Sequence, residues 1–138
     1  MFNKKYLIIT AHPDDLESAC GGLVSKIIAE KGSVTNLILV KPSTEEDYHN
    51  DQKTCYEIAQ SVARKDFEQF WLLDQYPYNL HYKKFCPNLY VDITDHVEQK
   101  KKALSCYASY FTNISINNIL TYNQYRGSFI NKDSTKTF

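Results

Sequence analysis

Ala11-His12-Pro13-Asp14-Asp15-Leu16-Glu17-Ser18-Ala19-Cys20-Gly21-Gly22 is the stretch that decides how this chain reads. A continuous apolar run, Tyr6 to Thr10, leads into it. Leu16, Ala19, Cys20, Leu23, Val24, Ile27 and Ile28 then recur at steps of three and four. That pattern predicts a strand buried on both faces of a parallel sheet, a tight turn, and an amphipathic helix. Open α/β sheets place their chemistry at such a junction. Gly32 follows where a helix C-terminus favours a left-handed residue.

Outward from this junction, Val34 to Val40 is a second apolar run, so strand, helix and strand succeed one another as in a βαβ unit. Lys41 to Asp51 is polar and reads as a loop. Cys55, Ile58, Ala59, Val62 and Ala63 supply a second helical stripe, and Phe67 to Leu73 a third strand. From Asp74 to Pro87 periodicity fails in an aromatic, proline-punctuated loop. Leu89 to Ile93 reads as a short strand. Asp95 and Glu98 resemble a helix-start box, and Val97, Leu104, Ala108 and Phe111 carry the helix behind it. Beyond Thr112 one short helix and a frayed end are expected. The alternation predicts an α/β fold, Rossmann-like, with a mostly parallel sheet between helical layers, in one domain over residues 1–138.

Composition narrows the partners. At 138 residues a single domain buries roughly 68% of the surface its unfolded chain exposes. Sixteen basic side chains balance sixteen acidic ones, which argues against nucleic acid and anionic membranes and for a small-molecule substrate. Cys20, Cys55, Cys86 and Cys106 form no Cys-x-x-Cys pair, so neither a zinc ribbon nor a redox motif is expected. The first apolar run is too short for a signal peptide or a membrane span, and the expectation is a cytoplasmic protein with reduced thiols. Eleven tyrosines suit half-buried packing, with sugar stacking as the alternative. Lys100, Lys101 and Lys102 read as the solvated face of a helix.

His12, Asp14 and Asp15 carry the chemistry. An imidazole and a carboxylate three residues apart on a tight turn can converge on one divalent ion, with a neighbouring carboxylate as general base. Such an ion lowers the pKa of a bound water and polarises a substrate carbonyl. Equally, Pro13 can start the helix while Asp14 and Asp15 complement its dipole. Spacing alone leaves both readings open.

The stretch from Ala11 to Gly22 resembles the Ala-His-Pro-Asp-Asp-x-Glu-x-x-x-Gly-Gly signature of the PIG-L/LmbE-like zinc deacetylases. Further likeness lies in Asn88 to Asp95, in Glu98 to Leu104, in Arg126-Gly127 and around Glu57. The resemblance implies a Rossmann-like sheet and zinc-dependent removal of an acetyl group from an N-acetylglucosamine-type amine. It implies His12 and Asp15 as Zn2+ ligands and Asp14 as the general base. Family members carry a further strand and a His-Pro-Asp-His-like motif before the Val-Asp-Ile-Thr segment. Here about fifteen residues, 74–87, fill that interval, and the chain contains no His-x-x-His. His81, then His49 and His96, are the remaining candidates for a third ligand.

Two other readings stand beside the enzyme: an inactive remnant that binds without turnover, and a nucleotide-binding module. The latter lacks Gly-x-Gly-x-x-Gly in the first turn. A shortened sheet leaves edges uncovered, so self-association is predicted. A compact monomer on size exclusion would contradict that.

Overall fold

The computed structural model describes residues 2–39, 48–77, 86–133 and 135–137. Strand β1 (Lys5–Thr10) is followed by a π-helical turn over Leu16–Cys20 that runs into α1 (Gly21–Ala29), and β2 is Ser33–Ile38. β1 and β2 pair in parallel, Lys5 opposite Ser33 through Thr10 opposite Ile38. Helix α2 spans Tyr48–Asp66, β3 Tyr90–Asp92, α3 Val97–Ser105, α4 Asn113–Ser128 and β4 Thr135–Thr137. β3 and β4 form a separate antiparallel pair. The architecture is mixed α/β, with its parallel part limited to two strands among the described residues.

Most of the helical stripe read from the sequence lies in or against the core, whereas Ile28 at its end is 56% exposed. Cys20, Leu23 and Ile27 are buried with Phe2, Val91 and Ile93, and Tyr6, Ile8, Trp71 and Leu73 pack around them. Gly22 permits the close approach: a Cβ there would stand 2.7 Å from Ile93 Cδ1. A second cluster, Leu104 with Ile116 and Ile119, joins α3 to α4.

Several expectations are corrected. β1 alternates exposed and covered residues, and Leu7 remains 38% exposed, so the strand is not buried on both faces. Residues 67–73 are irregular. From Phe70 to Leu73 exposed and half-buried side chains alternate, so the period of two is kept without a ladder. A cavity of about 1250 Å³ is lined by that segment, β1, α2 and β3. Residues 48–51, expected in a loop, open α2.

The box predicted at Asp95 and Glu98 is not made. A 3-10 turn over Thr94–His96 precedes α3, whose first turn has no side-chain cap. Asp92 instead accepts hydrogen bonds from the Thr94 backbone and hydroxyl. α3 stops at Ser105, so Ala108 and Phe111 lie beyond it. The short final helix is sixteen residues long, capped by the Thr112 hydroxyl on the Ser115 N–H, and the expected frayed end contributes β4. Lys100 is 1% exposed and donates to Asn123 Oδ1 at 2.9 Å, leaving Lys101 and Lys102 as the solvated residues.

The end of α1 departs from expectation too. Lys31 donates to Ile28 O and Gly32 to Ile27 O, at 3.0 and 2.8 Å, the two-bond helix stop. The left-handed residue is Lys31, with φ 63°, and Gly32 is not at positive φ. Among the described residues no helix is long and apolar enough to cross a membrane.

Candidate active site

The turn after β1 is where the chain concentrates buried polar groups. Thr10, His12 and Asp15 are all buried, which for an imidazole and a carboxylate requires specific partners. The turn is closed by backbone bonds from Asp15 N to His12 O and from Ser18 N to Asp14 O. Thr10 Oγ1 donates to Asn36 Oδ1 at 3.2 Å, tying the end of β1 to β2. A π-helical turn follows directly, a distortion that places side chains where regular α-helix would not.

Asp15 does not cap the helix that begins after it. Its Oδ2 accepts the His12 backbone N–H at 2.8 Å and lies 3.5 Å from His12 Nδ1. Its Oδ1 accepts from Gln75 Nε2 at 2.8 Å and Gln52 Nε2 at 3.3 Å. On the other side of the imidazole, His12 Nε2 lies 3.1 Å from Asp51 Oδ2. Thus His12 and Asp15, paired by sequence reasoning, are brought together, while Asp15 keeps its place at the helix start without a capping hydrogen bond.

Asp14 and Glu17 border the same turn. Burial raises the pKa of Asp14, opposed by its own backbone hydrogen bond and reinforced by the Asp15 charge. Burial also raises that of Glu17, opposed by a backbone hydrogen bond and by the Tyr107 hydroxyl, and reinforced by Asp14 and Asp15. Glu17 Oε2 is buried with no hydrogen-bond partner among the described residues. Tyr107 Oη donates to Pro13 O at 3.3 Å, and burial followed by the Glu17 charge raises its pKa. Cys55 is shifted upward by burial and then by Asp15. Carboxylates crowded around one imidazole favour a cation, because each disfavours the charge of its neighbours.

The fit to a divalent ion can be tested on this geometry. Two ligands at about 2.0–2.1 Å from a tetrahedral metal stand roughly 3.3 Å apart. The Nδ1 to Oδ2 separation of 3.5 Å matches that, and Asp51 occupies the place of the carboxylate that commonly orients a ligating histidine. His12 and Asp15 therefore fit as two donors. Among the described residues no group of three His, Cys, Asp or Glu side chains forms a complete donor set. His96 is engaged with Ser25 Oγ at 3.0 Å. His81 and the side chain of His49 lie outside the described residues.

Sequence reasoning missed Asp51, Gln52, Gln75 and Tyr107. Asp51 and Gln52 stood inside a predicted loop or at its edge, and no spacing marks Gln75. The cavity along β1 touches this site at Asp15, Gln52 and Gln75, and its remaining walls are largely apolar.

No family model matches the chain, and no curated protein matches it. Its fold is shared with a solved structure. The crystal structure of the conserved protein TT1542 from Thermus thermophilus aligns with all of this chain and 94% of that one, with a TM-score of 0.77. Identity is 18%, so the likeness concerns the fold alone.

Proposed function

We propose that the chain is a shortened relative of the PIG-L/LmbE-like deacetylases, with a Rossmann-like sheet. Its proposed reaction is hydrolysis of an N-acetyl group on an N-acetylglucosamine-type amino sugar. The observation that carries this is the buried pairing of His12 with Asp15 across 3.5 Å, with Asp14 next in the chain.

A divalent cation, zinc in the first instance, would be held by His12 and Asp15 and would supply Lewis acidity to the acyl oxygen. Asp51 keeps the imidazole of His12 oriented, and the Gln75 and Gln52 amides keep Asp15 in place. Asp14 takes a proton from the attacking water as its oxygen bonds to the acyl carbon. The C–N bond then breaks, and Asp14 delivers that proton to the leaving amine, giving acetate and a free amino sugar.

The second reading, a remnant that binds a carbohydrate or a partner without turnover, is favoured by the incomplete donor set among the described residues. Release of primary amine from N-acetylglucosamine derivatives, with zinc supplied, separates the two. The enzyme reading expects zinc-dependent amine release that Asp14→Asn lowers by about 10²–10⁴-fold. Zinc bound without amine release would favour the remnant.

A further inference from the structure

We propose that Gln75 and Gln52 form a neutral amide clamp that fixes the Asp15 carboxylate with Oδ2 on the imidazole side, making them positioning residues for cation binding. The proposal rests on the reading of His12 and Asp15 as metal ligands.

The two oxygens of Asp15 are used differently. Oδ1 accepts from both glutamine amides, at 2.8 and 3.3 Å, whereas Oδ2 takes the His12 backbone N–H and faces the ring. Two donors on Oδ1 come from separate parts of the chain, so the carboxylate cannot rotate without breaking both. The amide chemistry matters as much as the geometry. A lysine or arginine at either position would neutralise Asp15 and compete with a cation, while an amide satisfies the oxygen and leaves the negative charge in place.

Each glutamine is itself anchored. Gln52 follows Asp51, which meets His12 Nε2, so one turn of α2 serves both proposed ligands. Gln75 Nε2 also lies 3.3 Å from Ser18 Oγ. Beside Gln75, the Asp74 carboxylate is fully buried and accepts from Arg126 Nε and Tyr122 Oη, each at 2.9 Å. Trp71 and Leu73 pack on the core just before it. The segment that carries Gln75 is therefore pinned to α4 and to the core, which gives Arg126 a structural purpose.

Removing groups that orient a metal ligand typically costs 10–100-fold in metal affinity. The test is the zinc dissociation constant of the full chain, by competition with a chromophoric chelator, for wild type, Gln75→Leu and Gln52→Leu. The thermal midpoint of each metal-free chain is recorded alongside. Gln75→Leu is expected to weaken zinc by about 10–100-fold, over and above the fall in the metal-free midpoint that follows from taking a hydrogen bond from a buried carboxylate. Gln52→Leu, which loses the longer bond, should weaken it less. A merely structural glutamine would move the midpoint and leave affinity alone. Should Gln75→Leu fail to fold, Gln52→Leu decides by the same criterion. Zinc bound by wild type and by the variants within twofold overturns the clamp while sparing the metal reading; no zinc on wild type overturns both.

Discussion

Gly32→Ala is expected to destabilise the chain by about 3 kcal/mol, the upper range for forcing atoms into a packed site. A Cβ at residue 32 would collide with the carbonyl oxygen of Phe2, lie 2.6 Å from Ile27 Cγ2 and 3.0 Å from Lys4 O. Two of these neighbours are backbone atoms. Lys4 O is also fixed, since it accepts the Ser33 N–H where β1 and β2 begin to pair. Relief would require the N-terminal segment to separate from the end of α1, opening the core around Phe2 and Ile27. The neighbouring Lys31→Gly substitution should act in the opposite direction. It removes the strain of a left-handed lysine, roughly 1 kcal/mol before the entropy of glycine is set against it. Chemical denaturation of the two variants beside wild type checks the pair. Equal, small effects would show that close approach at Gly32 does not limit this turn.

That turn illustrates what the sequence could and could not convey. A glycine after a helical stripe marks a helix end, and the helix does end there. The left-handed residue is Lys31, while Gly32 is needed for the close approach of Phe2 O and Lys4 O, a tertiary fact. The stripe from Leu16 to Ile28 predicted the principal core because most of its members face the same side of one helix. α4 was legible only in part: it buries Asn123 and Gly127 with Ile116 and Ile119 and leaves Ile114 exposed, so no clean apolar face announces its length. β4 pairs with β3 across some forty residues of chain, and Thr135–Thr137 has no pattern that specifies a partner.

The same division holds at the site. His12, Asp14 and Asp15 were readable because a strand, a turn and a helix start confine them to one place. Lys100 was misread because two exposed residues of the same run follow it and because the face of α3 is set by its packing against α1 and α4. Gln52 and Gln75 were silent because an amide that meets a carboxylate leaves no periodicity and no charge pattern. Their partner lies 37 and 60 positions away.

The largest functional effect is expected at His12 and Asp15. In the proposed site each supplies one donor, and each is buried with one polar atom, Nδ1 of His12 and Oδ2 of Asp15, facing the other. A two-donor site that loses either group retains a single protein ligand, where structural and catalytic zinc sites use three or four. The Asp51 carboxylate, left without the imidazole in His12→Ala, cannot replace it in the same geometry, because it lies 3.1 Å beyond the far nitrogen of the ring. Asp14→Asn should behave differently. It leaves both donors in place, so zinc should remain while amine release falls by about 10²–10⁴-fold, the usual contribution of a general base.

Zinc content after equilibrium dialysis of the purified chain, measured for wild type, His12→Ala and Asp15→Ala, tests the central claim most directly because it needs no substrate. The account predicts one zinc per wild-type chain and its loss from both variants. Wild-type chain without zinc, or variants that retain it in full, would contradict the assignment of His12 and Asp15 as the pair that holds the cation.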